Sequence, residues 1–139
     1  MLNYHLDVRR IKKRRKNKYR RKADESIYRH EIILSGHDRI KYSYRKVGNK
    51  YVEVINSSYE TFINTGWVTL VRFDSAHGYL HRHSRLSLTD TEEYITKEPI
   101  SDRGSHHEWL TWTLRDLTSN FYDYRTSFFE RNKLINNYD

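Results

Sequence analysis

Cysteine is absent from this 139-residue chain, and proline, methionine and glycine are scarce, with one, one and five residues. Without cysteine the chain can form no disulfide, hold no metal through thiolates and use no cysteine nucleophile, so a metal would need His and carboxylate ligands. No apolar run approaches the roughly 20 residues that cross a bilayer, and the first residues lack the apolar segment of a secretory signal. These absences predict a cytoplasmic protein without a membrane partner.

Several enzyme motifs are missing as well. The sequence contains no G-x-G-x-x-G, no Gly-rich phosphate loop, no H-E-x-x-H and no G-x-S-x-G. Nucleotide-driven chemistry and serine hydrolysis therefore have no support, and we predict that the protein needs no cofactor.

The net charge of +8 is concentrated at one end of the chain. Residues 1–22 hold eleven Lys or Arg against one acid, whereas the rest holds fifteen bases and seventeen acids. Such a self-repelling segment predicts a disordered basic arm, residues 1–25, ahead of a single domain, residues 26–139. By displacing counterions from phosphates, the arm would bind RNA or other nucleic acid with strong salt dependence. Its bases are Arg9, Arg10, Lys12, Lys13, Arg14, Arg15, Lys16, Lys18, Arg20, Arg21 and Lys22.

Three other roles for the arm stay open. A basic tail also serves as a solubilising extension, as a ribosome-docking arm or as a contact for an acidic protein. No amphipathic apolar stripe accompanies the charges, which disfavours binding to a membrane surface.

Two-residue alternation of apolar and polar side chains predicts strands over residues 27–34, 39–47, 51–55, 67–73, 79–88 and 92–96. Residues 56–66 carry aromatic and apolar residues at helical spacing and are predicted to be a loop with one helical turn. Within 67–73, alternation places Trp67, Thr69, Val71 and Phe73 on one face. Short connections between the strands favour an antiparallel meander.

A capping box, Ser105 to Glu108, predicts that a helix begins there. An apolar stripe then continues to about residue 131 and contains Leu110, Leu114, Leu117, Phe121, Tyr124 and Phe128. The predicted fold is α+β: an antiparallel β-meander of five to six strands packed against one long C-terminal helix, with the disordered basic arm in front.

The densest functional chemistry lies in residues 67–85, W-V-T-L-V-R-F-D-S-A-H-G-Y-L-H-R-H-S-R. A strand there ends at Asp74, and after a loop containing His77 the chain returns with His81 and His83 on one face. The segment therefore predicts a hairpin that gathers imidazoles near Arg72 and Asp74.

The run L-V-R-F-D-S-A-H-G-Y-L-H-R-H resembles the signature of the TumE toxin family of toxin–antitoxin systems. It is also similar to small archaeal proteins of unknown function that share an A-H-G-x-x-H-R-H run. The resemblance covers residues 67 to about 85 and the plan of a meander followed by a helix. It implies a growth inhibitor with an antitoxin as partner, and it singles out Arg72, Asp74, His77, His81 and His83.

Metal-free RNA cleavage needs a base for the 2′-hydroxyl, an acid for the leaving 5′-oxygen and a cation beside the phosphorane. Histidine fits both proton roles near neutral pH. We predict that His77 forms the pair with His81 or His83, that Arg72 supplies the cation and that Asp74 orients one ring. The predicted function is that of an RNA-targeting, toxin-like ribonuclease, with Arg82 and Arg85 holding flanking phosphates.

The same residues allow other interpretations. In one alternative, the segment binds a metal ion, with Asp74, His77, His81 and His83 as the ligands. In another, the cluster is structural and an Arg72–Asp74 salt bridge fixes the hairpin. The protein would then be a non-catalytic RNA-binding module that clamps phosphates and stacks bases on tyrosines, or an accessory subunit of a nucleoprotein.

Overall fold

The computed structural model describes residues 26–48, 51–89 and 91–135. The basic arm predicted for residues 1–25 lies outside the described residues. Six strands, one 3-10 turn and one long helix follow in chain order. They are β1 (Ser26–Ser35), β2 (Asp38–Val47), β3 (Tyr51–Ile63), β4 (Gly66–Asp74), β5 (His81–Arg85), β6 (Glu93–Lys97), the 3-10 turn (Pro99–Asp102) and α1 (His106–Arg131).

The strands form one sheet in the order β1-β2-β3-β4-β5-β6. Every neighbouring pair is antiparallel, so the sheet is a meander in which each strand pairs with the next along the chain. Together with α1 this confirms the predicted α+β fold. The prediction succeeded because strands that alternate and are joined by short connections pair with their chain neighbours.

Helix α1 covers one face of the sheet, at β3 and β4. Ser57 donates a 2.8 Å hydrogen bond to Thr113, and Tyr59 meets Phe121 edge to face at 5.8 Å. On the next strand Phe73 meets Trp112 in the same way. The apolar core between the sheet and α1 contains Ile40, Ile55, Tyr59, Ile63, Leu70, Val71, Phe73, Leu80, Trp109, Leu110, Leu117, Phe128 and Phe129.

The helix begins as its capping box predicts. The Ser105 hydroxyl accepts from the Glu108 amide, and the Glu108 carboxylate accepts from the Ser105 amide, so two N–H groups at the helix start are satisfied. With 26 residues, α1 is about 39 Å long at 1.5 Å per residue. No helix in the described part of the chain is long and apolar enough to span a membrane.

The predicted loop over residues 56–66 is wrong, because β3 runs without interruption from Tyr51 to Ile63. Pairing with strands on both sides overrides the local pattern: Tyr59 lies opposite Ile40 on β2 and Val71 on β4. The small polar residues at 56–58 concealed this strand. Residues of that kind carry weak strand propensity alone, but they fit once both neighbouring strands supply the hydrogen bonds.

The predicted face for Trp67 and Thr69 is also wrong. A β-bulge lies between β3 and β4, where Val71 opposes Tyr59 but Thr69 opposes Glu60, so Leu70 is an extra residue. Because side chains alternate between the two faces of a strand, one inserted residue moves the side chains before it to the opposite face. Trp67 and Thr69 therefore lie on the face away from α1, whereas Val71 and Phe73 face the helix.

Candidate functional site

The sheet face away from α1, called here the open face, carries two rows of mostly polar residues that cross all six strands. Neighbours in a row lie directly opposite each other on adjacent strands, so their side chains project to the same side. The first row is Arg29, Ser43, Asn56, Asp74, His81 and Lys97. The second is Glu31, Lys41, Ser58, Arg72, His83 and Ile95.

The pairing of β4 with β5 therefore brings four of the predicted site residues together. Asp74 lies opposite His81, and Arg72 lies opposite His83. Because all four occupy the open face, the guanidinium, the carboxylate and both imidazoles form one continuous patch. The structure thus places these residues side by side as the sequence pattern predicts, at the end of the β4–β5 hairpin next to its loop.

Two carboxylates hold Arg72. Its Nη1 donates to Asp74 Oδ2 at 3.1 Å, and its Nη2 lies 3.8 Å from Glu93 Oε1. The second oxygen of Asp74 accepts from the Ala76 amide at 2.6 Å, which fixes the start of the β4–β5 loop. Glu93 is a site residue that sequence reasoning missed. Its only signal was its position on the predicted edge strand, since the β5–β6 register that aligns it is a tertiary property.

The imidazole cluster consists of His77, His81 and His83. The ring centroids of His77 and His81 are 6.2 Å apart, and those of His81 and His83 are 4.8 Å apart. Tyr79 lies against His81 at 5.1 Å. His77 is exposed, whereas only 6% of His81 is exposed. The accessible edge of the cluster therefore lies where His77 meets His81.

His83 is less buried than His81, but neither of its ring nitrogens is free. Its Nδ1 lies 3.0 Å from Glu93 Oε1, and since a carboxylate only accepts, Nδ1 carries the proton. Its Nε2 is buried and has no hydrogen-bond partner among the described residues. With one nitrogen occupied and the other enclosed, His83 is poorly placed to touch a substrate directly.

Arg82 and Arg85 are not part of this patch. Arg82 projects to the helix side, where its Nε lies 3.4 Å from Glu98 Oε1 and its Nη1 lies 3.5 Å from the Tyr124 hydroxyl. Burial raises the pKa of Glu98, and the positive charge of Arg82 opposes this increase. Arg85 donates to the carbonyls of Ser87 and Leu88 and braces the connection after β5. Neither guanidinium flanks the imidazoles.

The start of α1 touches the loop that carries His77. His106 Nδ1 is hydrogen-bonded to Ser75 Oγ at 2.9 Å, and Ser75 Oγ also accepts from the Ile55 amide. Burial lowers the pKa of His106, nearby Glu53 opposes the shift, and Arg45 adds to it. The neutral imidazole therefore anchors the first residue of this loop to the helix.

The metal alternative finds no ligand set in the described part of the chain. Across residues 26–48, 51–89 and 91–135, no three His, Asp or Glu side chains converge in a way that could hold a metal ion. Within the patch, Asp74 is bound to Arg72 and the Ala76 amide.

A cleft of about 700 Å³ opens beside the patch, between β1, β2 and β3. Its floor consists of Ser43, Asn56 and Ser58, and longer charged side chains surround it. Asn56 lies opposite Asp74, and Ser58 lies opposite Arg72. The cleft and the imidazole cluster are thus neighbouring parts of one polar surface.

Comparison with known proteins identifies the family of this chain. The family model of a domain of unknown function, DUF7718, matches residues 20–134, which include all six strands and α1. The chain belongs to the DUF7718 family. No curated protein and no solved structure matches it. The similarity of residues 67–85 to the TumE toxins stays a prediction.

This DUF7718 domain also carries an aromatic ladder of Tyr28, His30, Tyr42 and Tyr44. The ladder lies on the helix side of β1 and β2, beyond the strands that α1 covers. Its rings are stacked, with centroids 4.9–5.9 Å apart and interplanar angles of 17–23°. Lys46 Nζ lies 5.9 Å from the Tyr28 ring centre. The sequence showed the Tyr42–Tyr44 alternation but not the pairing with β1.

Proposed function

We propose that this protein binds RNA on its open face and cleaves it without a metal ion, with His77 and His81 as the proton-transfer pair. The supporting observation is the register of β4 with β5, which sets Arg72 and Asp74 beside His81 and His83. In this proposal the protein is a cytoplasmic toxin, as the similarity to TumE implies, and an antitoxin is its protein partner.

The geometry favours His81 over His83 as the partner of His77. Rings 6.2 Å apart can flank a phosphodiester, and the edge between them faces solvent at His77. One imidazole takes the proton of the 2′-hydroxyl while the 2′-oxygen attacks phosphorus. The other protonates the 5′-oxygen as the P–O5′ bond breaks, which leaves a 2′,3′-cyclic phosphate and a 5′-hydroxyl.

The remaining polar groups act as support. Arg72 is about one-third exposed on its side chain and supplies positive charge beside the cleavage point, while Asp74 and Glu93 fix its orientation. His83 packs against His81 and is held by Glu93, so it is a positioning residue. Stabilising the charge that develops on the phosphorane is the largest contribution such a cation makes.

The test is cleavage of a labelled single-stranded RNA in EDTA. We expect the wild-type protein to cleave it, and His77→Ala to lower the rate by about 100-fold or more, the usual contribution of one acid or base group. His77 is exposed, so its removal spares the core. His107→Ala removes another exposed histidine, at the helix start, and serves as the control. RNA with a 2′-deoxy residue at the scissile position must stay intact.

Three results would reject the catalytic proposal. They are cleavage that EDTA abolishes, equal rates for His77→Ala and His107→Ala, and RNA that is bound but never cut. A short DNA-binding protein encoded by the neighbouring reading frame would favour the toxin assignment.

The aromatic ladder favours a second candidate, RNA binding without turnover. Single-stranded bases stack on aromatic side chains with about 1–3 kcal/mol per base, and a basic segment adds phosphate contacts. If this function is the correct one, Tyr44→Ala and removal of residues 1–22 each weaken salt-sensitive RNA binding, whereas His77→Ala does not. The protein would then serve as a nucleoprotein subunit.

A further inference from the structure

We infer that the cleft between β1, β2 and β3 is a nucleotide subsite, which holds one nucleoside monophosphate unit of an RNA strand whose next phosphate lies at the imidazole cluster. This inference rests on the proposed function and adds the site that would position the RNA strand for cleavage. Four features of the cleft support it: its floor, its charge, its flat guanidinium and its position.

The floor is low because small side chains coincide across two strands. Ser43 on β2 lies opposite Asn56 on β3, and Ser58 is the next open-face residue along β3. Ser58 donates to the Asn56 side-chain oxygen at 3.3 Å, which leaves the Asn56 amide nitrogen as a donor. A volume of about 700 Å³ exceeds what an isolated phosphate fills and falls within the range of about 300–1,000 Å³ of small-molecule sites.

The charge of the cleft suits an anion. Arg39 donates to Glu60 at 2.6 Å and to Glu31 at 3.3 Å, so it offsets much of the charge of these two acids. Arg29 and Lys41 also line the cleft, are exposed, and form no ion pair with any other described residue. These two cations, carried on neighbouring strands, provide a place for a phosphate.

Arg39 supplies a surface for a base. Its guanidinium carbon lies 3.9 Å from the ring centre of Trp67, and the two glutamates hold its nitrogens. A guanidinium held flat in this way stacks on bases as well as on aromatic rings. The β-bulge is what makes this contact available, because it moves Trp67 to the open face beside Arg39.

The position of the cleft links it to the cluster. Ser58 and Arg72 are opposite each other on adjacent strands, and so are Arg72 and His83. Two strand spacings of about 4.8 Å therefore separate the cleft floor from the imidazoles, roughly 10 Å. A nucleotide seated in the cleft has its neighbour's phosphate within reach of Arg72 and His81.

The test is isothermal titration calorimetry of the full-length protein with adenosine 5′-monophosphate, in EDTA. We expect saturable binding that Lys41→Glu and Arg29→Glu each weaken at least tenfold. Arg115→Glu is the control, because it reverses an exposed charge on α1 and must leave the affinity unchanged. Ser58→Leu fills the floor without changing the charge and is expected to abolish binding. Circular dichroism verifies that each variant is folded.

The outcomes separate the subsite from catalysis. His77→Ala must keep full affinity for the mononucleotide, because His77 lies outside the cleft. Saturable mononucleotide binding by a protein whose RNA cleavage is absent, or is the same in wild type and His77→Ala, supports the subsite while it rejects the proton-transfer pair. Inorganic phosphate that binds as tightly as adenosine 5′-monophosphate would reduce the site to an anion site and overturn the proposal. Absence of saturable mononucleotide binding, or equal effects of Lys41→Glu and Arg115→Glu, would overturn it as well.

Discussion

Arg125, two turns before the end of α1, donates a 2.6 Å hydrogen bond to Asp38, the first residue of β2, 87 positions earlier in the chain. Both side chains are almost completely buried. The hydroxyls of Tyr59 and Ser35 donate to the same carboxylate. Buried charges are tolerated only when they are paired and hydrogen-bonded, and here one network joins the helix end to the sheet.

Breaking this buried pair is expected to lower the free energy of unfolding much more than breaking an exposed ion pair. Asp38→Ala leaves the Arg125 charge uncompensated in the interior, which we expect to lower the free energy of unfolding by about 3–5 kcal/mol. Lys97→Ala breaks the exposed Lys97–Asp102 pair, 2.9 Å long, and is expected to cost less than about 1 kcal/mol. Urea denaturation measures both values, and similar losses would contradict the ranking.

His106 is expected to make stability fall in mild acid. Its pKa is lowered in the folded protein, chiefly by burial, so the unfolded chain takes up a proton at a higher pH than the folded one. The contribution is therefore fully present above the unfolded value of about 6.5 and is lost as the pH falls below it. We expect His106→Gln to lose less stability than wild type between pH 7.5 and 5.5 in urea denaturation. Parallel curves would contradict the assignment.

The capping box predicts a position-specific effect of one substitution. Ser105→Ala removes an N-cap acceptor and is expected to cost about 1 kcal/mol, whereas Ser105→Asp retains the acceptor and keeps most of the stability. Ser119→Ala makes the same change in the exposed middle of α1, where alanine is the better helix former, and is expected to be neutral or slightly stabilising. Thermal unfolding compares the three variants. Equal shifts for Ser105→Ala and Ser119→Ala would contradict the role of the cap.

The rate of RNA cleavage is expected to depend on pH in a bell shape, because one imidazole must be neutral and the other protonated. In the residual activity of His77→Ala, one limb of the bell should disappear while the other remains. Initial rates between pH 5 and 8 test this. A flat wild-type profile over that range would remove the histidine pair from the mechanism.

The fold could be predicted from the sequence to the extent that its signals were local. Alternation in β2, the capping box at Ser105 and the stripe on α1 each depend on residues within one element. The strand at residues 56–63 and the bulge at Leu70 could not be predicted, because both depend on hydrogen bonds from neighbouring strands. Spacing within one strand does not reveal a register between two.

The same distinction between local and tertiary signals applies to the candidate site. Asp74 and His81 could be placed together because one short hairpin connects them. Glu93 could not, since its contact with Arg72 requires the β5–β6 register. The cleft was equally hidden, because its floor exists only where the small residues of β2 and β3 align.

The extra residue at Leu70 limits how the length of β4 can vary among relatives. Deleting one residue between Trp67 and Val71 would turn the Trp67 side chain toward the core and remove the contact between its indole ring and the Arg39 guanidinium. We therefore expect family members to conserve the number of residues in β4 and to accept insertions in the connection between β5 and β6, where a longer loop changes no side-chain direction.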